Sequence, residues 1–261
     1  MKKKHIIAIM VIALAVIITG IVAIFLISQS SDGKYLRTAI KNAESLSDFA
    51  VKYATKQTVE YGDAYQDISS TGHIVSFNNF EKTFGENNTA SYTKDNEEND
   101  TQVKVLLYSD SDGVYDVTTG VKEEVDMTPQ EFEKIVKSYE LYKYSRKNIM
   151  QEEVKRGETE GTENNGIVTV RLKSPESEVL EAYAAEISSI TGDKVSSNDL
   201  DVVAAYVQYS IYENVVKSQS YTFTVSYTTE TGDTLKYTVS SDLEYITDFS
   251  EEDYERYMAV E

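Results

Sequence analysis

Residues 6–27, IIAIMVIALAVIITGIVAIFLI, form an apolar run broken only by Thr19 and Gly20. As a helix the run reaches about 33 Å at ~1.5 Å per residue, enough to cross a bilayer core of roughly 30 Å. It outlasts the apolar stretch of roughly 7–15 residues found in a cleaved signal peptide, although Ser28-Gln29-Ser30 offers a small-residue cleavage site. The expectation is an uncleaved single-pass anchor. Lys2, Lys3 and Lys4 precede the run, while residues 28–33 carry one acid and no base. The positive-inside rule therefore puts residues 1–5 in the cytoplasm and, beyond a joint at 28–33, residues 34–261 outside the cell.

The chain contains no cysteine. Disulfides, thiolate metal sites and lipid attachment through a lipobox thiol are all excluded, and a cysteine-free ectodomain fits a bacterial cell surface better than an animal one. Setting aside Lys2, Lys3 and Lys4 leaves about 22 basic residues against 44 acidic, a balance near −22. Such a surface solubilises the domain and repels polyanions. Nucleic acid, anionic headgroups and teichoic acids are poor partners for it, because they are bound by clustered Lys and Arg.

Along the ectodomain the hydrophobic period changes several times. In residues 34–54 the spacing of Leu36, Ile40, Ala43, Leu46, Ala50 and Tyr53 predicts an amphipathic helix. The runs HIVSFNNF, TASYTK, TQVKVLLY and GVYDVTT then read as strands of an antiparallel meander, with the acidic run 95–100 as a solvated loop. A second helix opens at Thr128, with Pro129 in the first turn and Glu131 completing a capping box; Phe132, Ile135, Val136 and Tyr139 are its buried stripe. Residues 152–166 read as a long loop or hairpin tip and a possible subdivision of the domain. Val168, Val170 and Leu172 mark one face of a further strand.

A third helix is expected after Ser174-Pro175, with Val179, Leu180, Tyr183, Ile187 and Ile190 inward and Gly192 as its stop. Val203, Val207, Ile211 and Val215 repeat every four residues and favour a helix, against the β-branched and tyrosine content of the same stretch. The clearest hairpin sets Tyr221, Phe223, Val225 and Tyr227 against Leu235, Tyr237 and Val239 across a turn at Thr231-Gly232-Asp233. SEEDYERYM at the end reads as one or two helical turns. Seven or eight strands, two or three helices and no βαβ alternation make an α+β domain: a helix-covered antiparallel sheet.

Candidate chemistry is sparse. On the extracellular side of the anchor there is one histidine, His73, at a strand start, where a surface role is the ordinary one. Paired acids such as Glu123 with Glu124, Glu152 with Glu153 and Glu251 with Glu252 are unremarkable among 44, and no phosphate-cradling glycine loop occurs. Asp110-Ser-Asp112-Gly113 looks like the start of a calcium loop. Anchored on Gly113, however, an EF-hand frame puts Tyr108 at its first ligand position and Thr119 at its last. The stretch reads instead as a hairpin turn, with Gly113 at a positive φ and Asp110 bonding nearby amides. No catalytic residue, metal or cofactor is expected.

The order of elements in residues 34–128, with the hairpin Tyr108-Ser-Asp-Ser-Asp-Gly-Val-Tyr115 and the T-P-x-E-F helix start, resembles the half-barrel of the LolA/LppX-like carriers and their anchored Gram-positive relatives. The lipobox cysteine is missing, and residues 174–216 exceed the pattern. The resemblance implies a curved sheet and helices enclosing an apolar groove for an acyl chain, walled by Val103, Val105 and Leu107 on one strand and Tyr221, Phe223, Val225 and Tyr227 on another. The function expected is that of a membrane-anchored, non-enzymatic ectodomain for a hydrophobic ligand. The alternative is an ectodomain that binds another envelope protein, with those side chains as plain core.

Overall fold

The computed structural model describes residues 31–44, 49–77, 82–93, 103–157 and 164–246. The expected anchor 6–27, the acidic run 95–100 and the C-terminal SEEDYERYM lie outside the described residues, and among those described no helix is long and apolar enough to cross a membrane.

Among the described residues eleven strands, more than the sequence pattern counts, form one open antiparallel sheet: β1 Phe49–Tyr61, β2 Ala64–Phe77, β3 Lys82–Thr93, β4 Val103–Ser109, β5 Val114–Asp116, β6 Glu123–Glu124, β7 Ile149–Arg156, β8 Gly166–Leu172, β9 Asp201–Tyr212, β10 Val215–Thr228 and β11 Thr234–Tyr245. Their order across the sheet is β6-β5-β4-β3-β2-β1-β11-β10-β9-β8-β7. Two meanders thus meet where the first strand pairs with the last, from Val51↔Tyr245 to Tyr61↔Leu235. The sheet runs unbroken through β7 and β8, and the stretch read as a long loop from Glu152 is strand as far as Arg156.

Alternation decides which face is covered. Val51, Tyr53, Thr55 and Gln57 of β1 stand in register with Tyr245, Leu243, Ser241 and Val239 of β11, and next to these come Gln219, Tyr221 and Phe223 of β10. Against this face lie the α-helices of the described residues, α1 Ser31–Glu44, α2 Pro129–Lys137 and α3 Ser177–Thr191. They contribute Leu36, Ala39 and Ile40, then Phe132, Ile135 and Val136, then Val179, Tyr183 and Ile187 to the same buried cluster. The capping box of α2 forms as its sequence foretells, with Thr128 Oγ1 accepting from the Glu131 amide and the Glu131 carboxylate accepting from the Thr128 amide at 2.8 Å. Gly192 ends α3 at φ 78°, but the residue before its first turn is Glu176, which makes no side-chain cap, and Ile190 faces solvent. A smaller cluster, Ala50, Val75, Phe84, Tyr108 and Val117, occupies the opposite face.

Two helical readings fail. α1 is shorter than expected, because Ala50 and Tyr53 belong to β1, where they point to opposite faces. The stretch 201–215 is β9 and its turn. A repeat of four residues is also two steps of a two-residue alternation, and here the intermediate positions settle it: Ala205, Val207, Tyr209 and Ile211 are all buried, while Val203, beside a β-bulge, is exposed. Glu213 and Asn214, both at positive φ (52° and 60°), make the tight turn into β10 that a helix would have denied. Asn42 of α1 donates to the Asn214 carbonyl at 2.9 Å, and Asn165 accepts from the Glu213 amide at 2.7 Å, which ties the helix and the β7–β8 loop to this turn.

Gly72 admits a close approach. The Tyr53 hydroxyl donates to the Glu86 carbonyl at 3.0 Å across the Gly72 backbone, and a Cβ at Gly72 would stand 1.8 Å from that carbonyl oxygen and 2.7 Å from the hydroxyl. Gly72→Ala is expected to destabilise the fold by about 3 kcal/mol through overpacking, seen in urea unfolding as a lower midpoint with an unchanged slope.

Candidate functional site

Between α2 and β7, from Tyr139 to Tyr144, the chain neither coils nor pairs, yet it is buried: Tyr139, Leu141, Tyr142 and Tyr144 all belong to the core. Irregular backbone at that depth must find polar partners, and the sheet supplies them from side chains. The Tyr142 amide donates to Gln219 Oε1 at 2.7 Å, the Tyr209 hydroxyl donates to the Tyr142 carbonyl at 2.5 Å, and the Tyr245 hydroxyl donates to the Tyr139 carbonyl at 3.2 Å. Glu176, just before α3, accepts from the Ser145 amide at 2.8 Å. This strap presses rings onto the sheet. Tyr53 and Tyr139 lie 4.4 Å apart, Tyr142 and Phe223 5.1 Å, and Tyr221 and Phe223 5.1 Å, centroid to centroid.

The residues singled out from sequence fall on this helix-covered face. Val105 and Leu107 sit on β4; Tyr221, Phe223, Val225 and Tyr227 sit on β10. Although β3, β2, β1 and β11 separate the two strands, helix packing joins all six into one buried cluster in which none is more than 9% exposed. Val103 opens β4, and its side chain lies outside those described.

Beside the aromatic seam the same face carries polar groups that the sequence reading did not find. Thr55 and Ser241 pair at 3.1 Å, Ser70 and Thr89 at 3.1 Å, and Gln57 Nε2 donates to the Tyr237 hydroxyl at 2.6 Å. Asn87 Oδ1, Gln219 Nε2 and the hydroxyls of Tyr35 and Tyr144 are buried with no hydrogen-bond partner among the described residues. Extending the inward alternation of β10 back from Tyr221 lands on Gln219, the signal that would have revealed a buried amide. On the opposite face an open trough of about 630 Å³ is lined by polar side chains, among them Lys52, Gln208, Ser210, Ser220, Asp242 and Glu244.

The other motifs are structural. Asp110 Oδ1 accepts from the amides of Asp112 and Gly113 at 2.9 and 3.2 Å, closing the β4–β5 turn. Partial burial works against ionising that carboxyl, but these bonds hold it below its usual range. Gly113 does not take a positive φ; a Cβ there would meet the Tyr115 ring at 3.3 Å, so packing explains the glycine. His73 Nδ1 lies 3.5 Å from Glu86, which also pairs with Lys104 at 2.8 Å. Glu123 and Glu124 are both exposed, Glu152 and Glu153 are successive residues of β7, and Glu251 and Glu252 lie outside the described residues. No three His, Asp or Glu side chains converge among the described residues.

No family model and no curated sequence matches the chain. A solved structure of lipovitellin, concerned with lipid–protein interactions in that protein, superposes with 10% identity over 77% of this chain at a TM-score of 0.39; the chain spans 25% of it. LprF from Mycobacterium bovis superposes with 10% identity over 83% of this chain and 93% of its own, at a TM-score of 0.36. Likenesses this loose concern the arrangement of strands and helices and carry nothing about a ligand.

Two measurements probe the seam. Gln219→Leu strands the buried Tyr142 amide, so a loss of about 1–3 kcal/mol is expected in urea unfolding. Burial also raises the buried phenols, Tyr221 to about 12 and Tyr139, Tyr183, Tyr209, Tyr237 and Tyr245 further. A phenol raised in the fold stays protonated there while the unfolded chain already ionises, so stability falls as pH climbs above about 10. Phenolate absorbance should rise in a cooperative step together with loss of near-UV dichroism; independent titration of all 20 tyrosines near pH 10 would contradict this burial.

Proposed function

We propose that the chain is a bacterial, membrane-anchored extracytoplasmic protein, held by residues 6–27 and without catalysis of its own, that binds a lipid or other hydrophobic ligand between the sheet and its helices. The observation that carries this reading is the mixed chemistry of the seam. Aliphatic and aromatic walls adjoin buried polar atoms that find no hydrogen-bond partner among the described residues, Asn87 Oδ1, Gln219 Nε2 and the hydroxyls of Tyr35 and Tyr144, on one face. An acyl chain would lie along Val105, Leu107, Tyr221, Phe223, Val225 and Tyr227, and its polar end would satisfy one of those atoms. Entry requires the helix layer to part from the sheet, which it meets through side chains.

A second reading, an ectodomain that binds another envelope protein, is favoured by the tight closure of the same seam. Mass spectrometry of an organic extract of purified residues 31–261 separates the two. The carrier reading expects a co-purifying acyl lipid and a raised melting temperature when that lipid is added back. Because the chain has no tryptophan, Phe223→Trp places a single reporter in the seam, whose fluorescence should change on loading. Neither lipid in the extract nor a thermal shift with added lipids would leave the partner-binding reading standing alone.

A further inference from the structure

The two edges of the sheet are built differently. β6 has two residues, both exposed glutamates, so its edge is blunted by shortness and like charge. β7 has eight, and among the described residues β8 is the one strand that pairs with it. Its sequence Glu152-Glu153-Val154-Lys155-Arg156 inverts in charge about Val154.

We propose that β7 is a docking edge for a second copy of this chain, paired antiparallel on a two-fold axis through Val154. In that register Glu153 faces Lys155 of the other copy, Glu152 faces Arg156, and the axis repeats each contact. Centring instead on Glu153 or on Lys155 would set like charges face to face. Glu153 and Lys155 carry the selection. Their side chains are 56% and 73% exposed and stand 3.3 Å apart within the strand, so two copies would bring four alternating charges together. Val154 packs against the main core from the helix-covered side, so meeting its own copy there extends the apolar layer of one molecule into the next. A net charge of −19 per chain opposes approach at random, which leaves the charge-matched register as the favoured one. The axis closes the assembly at two copies, since β7 is consumed and β6 offers no comparable edge.

The absence of cysteine allows a direct test on the full-length chain in detergent micelles. Val154→Cys places each thiol opposite its own copy and should form a disulfide-linked dimer under mild oxidation. Gln151→Cys separates the two thiols by about 20 Å along the strands and should stay at background. In the Val154→Cys background, Lys155→Glu should lower the linked fraction at least fivefold, and adding Glu153→Lys, which restores the charge match, should recover it. As a check independent of the new thiol, light scattering should give the mass of two chains for the unsubstituted protein and one chain for Lys155→Glu. Equal linking through positions 151 and 154, no effect of Lys155→Glu, or a single-chain mass for the unsubstituted protein would each overturn the proposal.

Discussion

Gln219 holds the molecule together at a point where secondary structure gives out. The strap from Tyr139 to Tyr144 has no ladder of its own, and the amide of Tyr142 would be an orphan in an apolar interior without the Gln219 oxygen 2.7 Å away. Tyr209 and Tyr245 serve the carbonyls on the same segment. With its backbone satisfied, the strap can press tyrosine rings into the sheet. Because it links α2 to the stretch leading into β7 and is bonded to Glu176 ahead of α3, two of the three helices take their places from it. A polar bond buried beneath aromatic rings thus positions an apolar layer.

Much of the architecture was legible where local signals agreed. The β10–β11 hairpin shows strict alternation around a Gly-Asp turn, α2 carries its capping box in four consecutive residues, and the Asp110 turn forms through the amides its sequence offers. The failures came where two periods share a spacing. Val207 and Ile211 satisfy a helix and a strand alike, and what decides between them is the burial of the intermediate Ala205 and Tyr209 together with the turn at Glu213 and Asn214, a pair without the usual glycine. Likewise the Leu36 stripe flows into Ala50 and Tyr53 without a break in hydrophobicity, although the chain changes from helix to strand in between.

The candidate site divides the same way. Its apolar members announce themselves by alternation, and the sequence placed Val105, Leu107 and the four β10 residues on the covered face where they stand. The polar members were invisible because threonine, serine and asparagine at inward positions look like ordinary surface residues until cross-strand partners are known. Ser70 gains meaning from Thr89, and Thr55 from Ser241, far away in the chain. The strap escaped notice because Tyr139 and Tyr142 continue a helical spacing beyond the helix that ends at Lys137.

The meeting of β1 with β11 sets a timetable. These strands lie roughly 180 residues apart in sequence, so their pairing is among the costliest loop closures in the fold. Each meander can assemble from neighbouring hairpins as the chain emerges. β1, however, waits beside β2 with its other edge open until nearly the whole polypeptide has been made. A chain growing or being threaded from its amino end would therefore spend most of that time as a half-sheet, and a chain ending between β10 and β11 would hold two partial sheets, with β1 and β10 each exposing the edge that β11 was meant to cover.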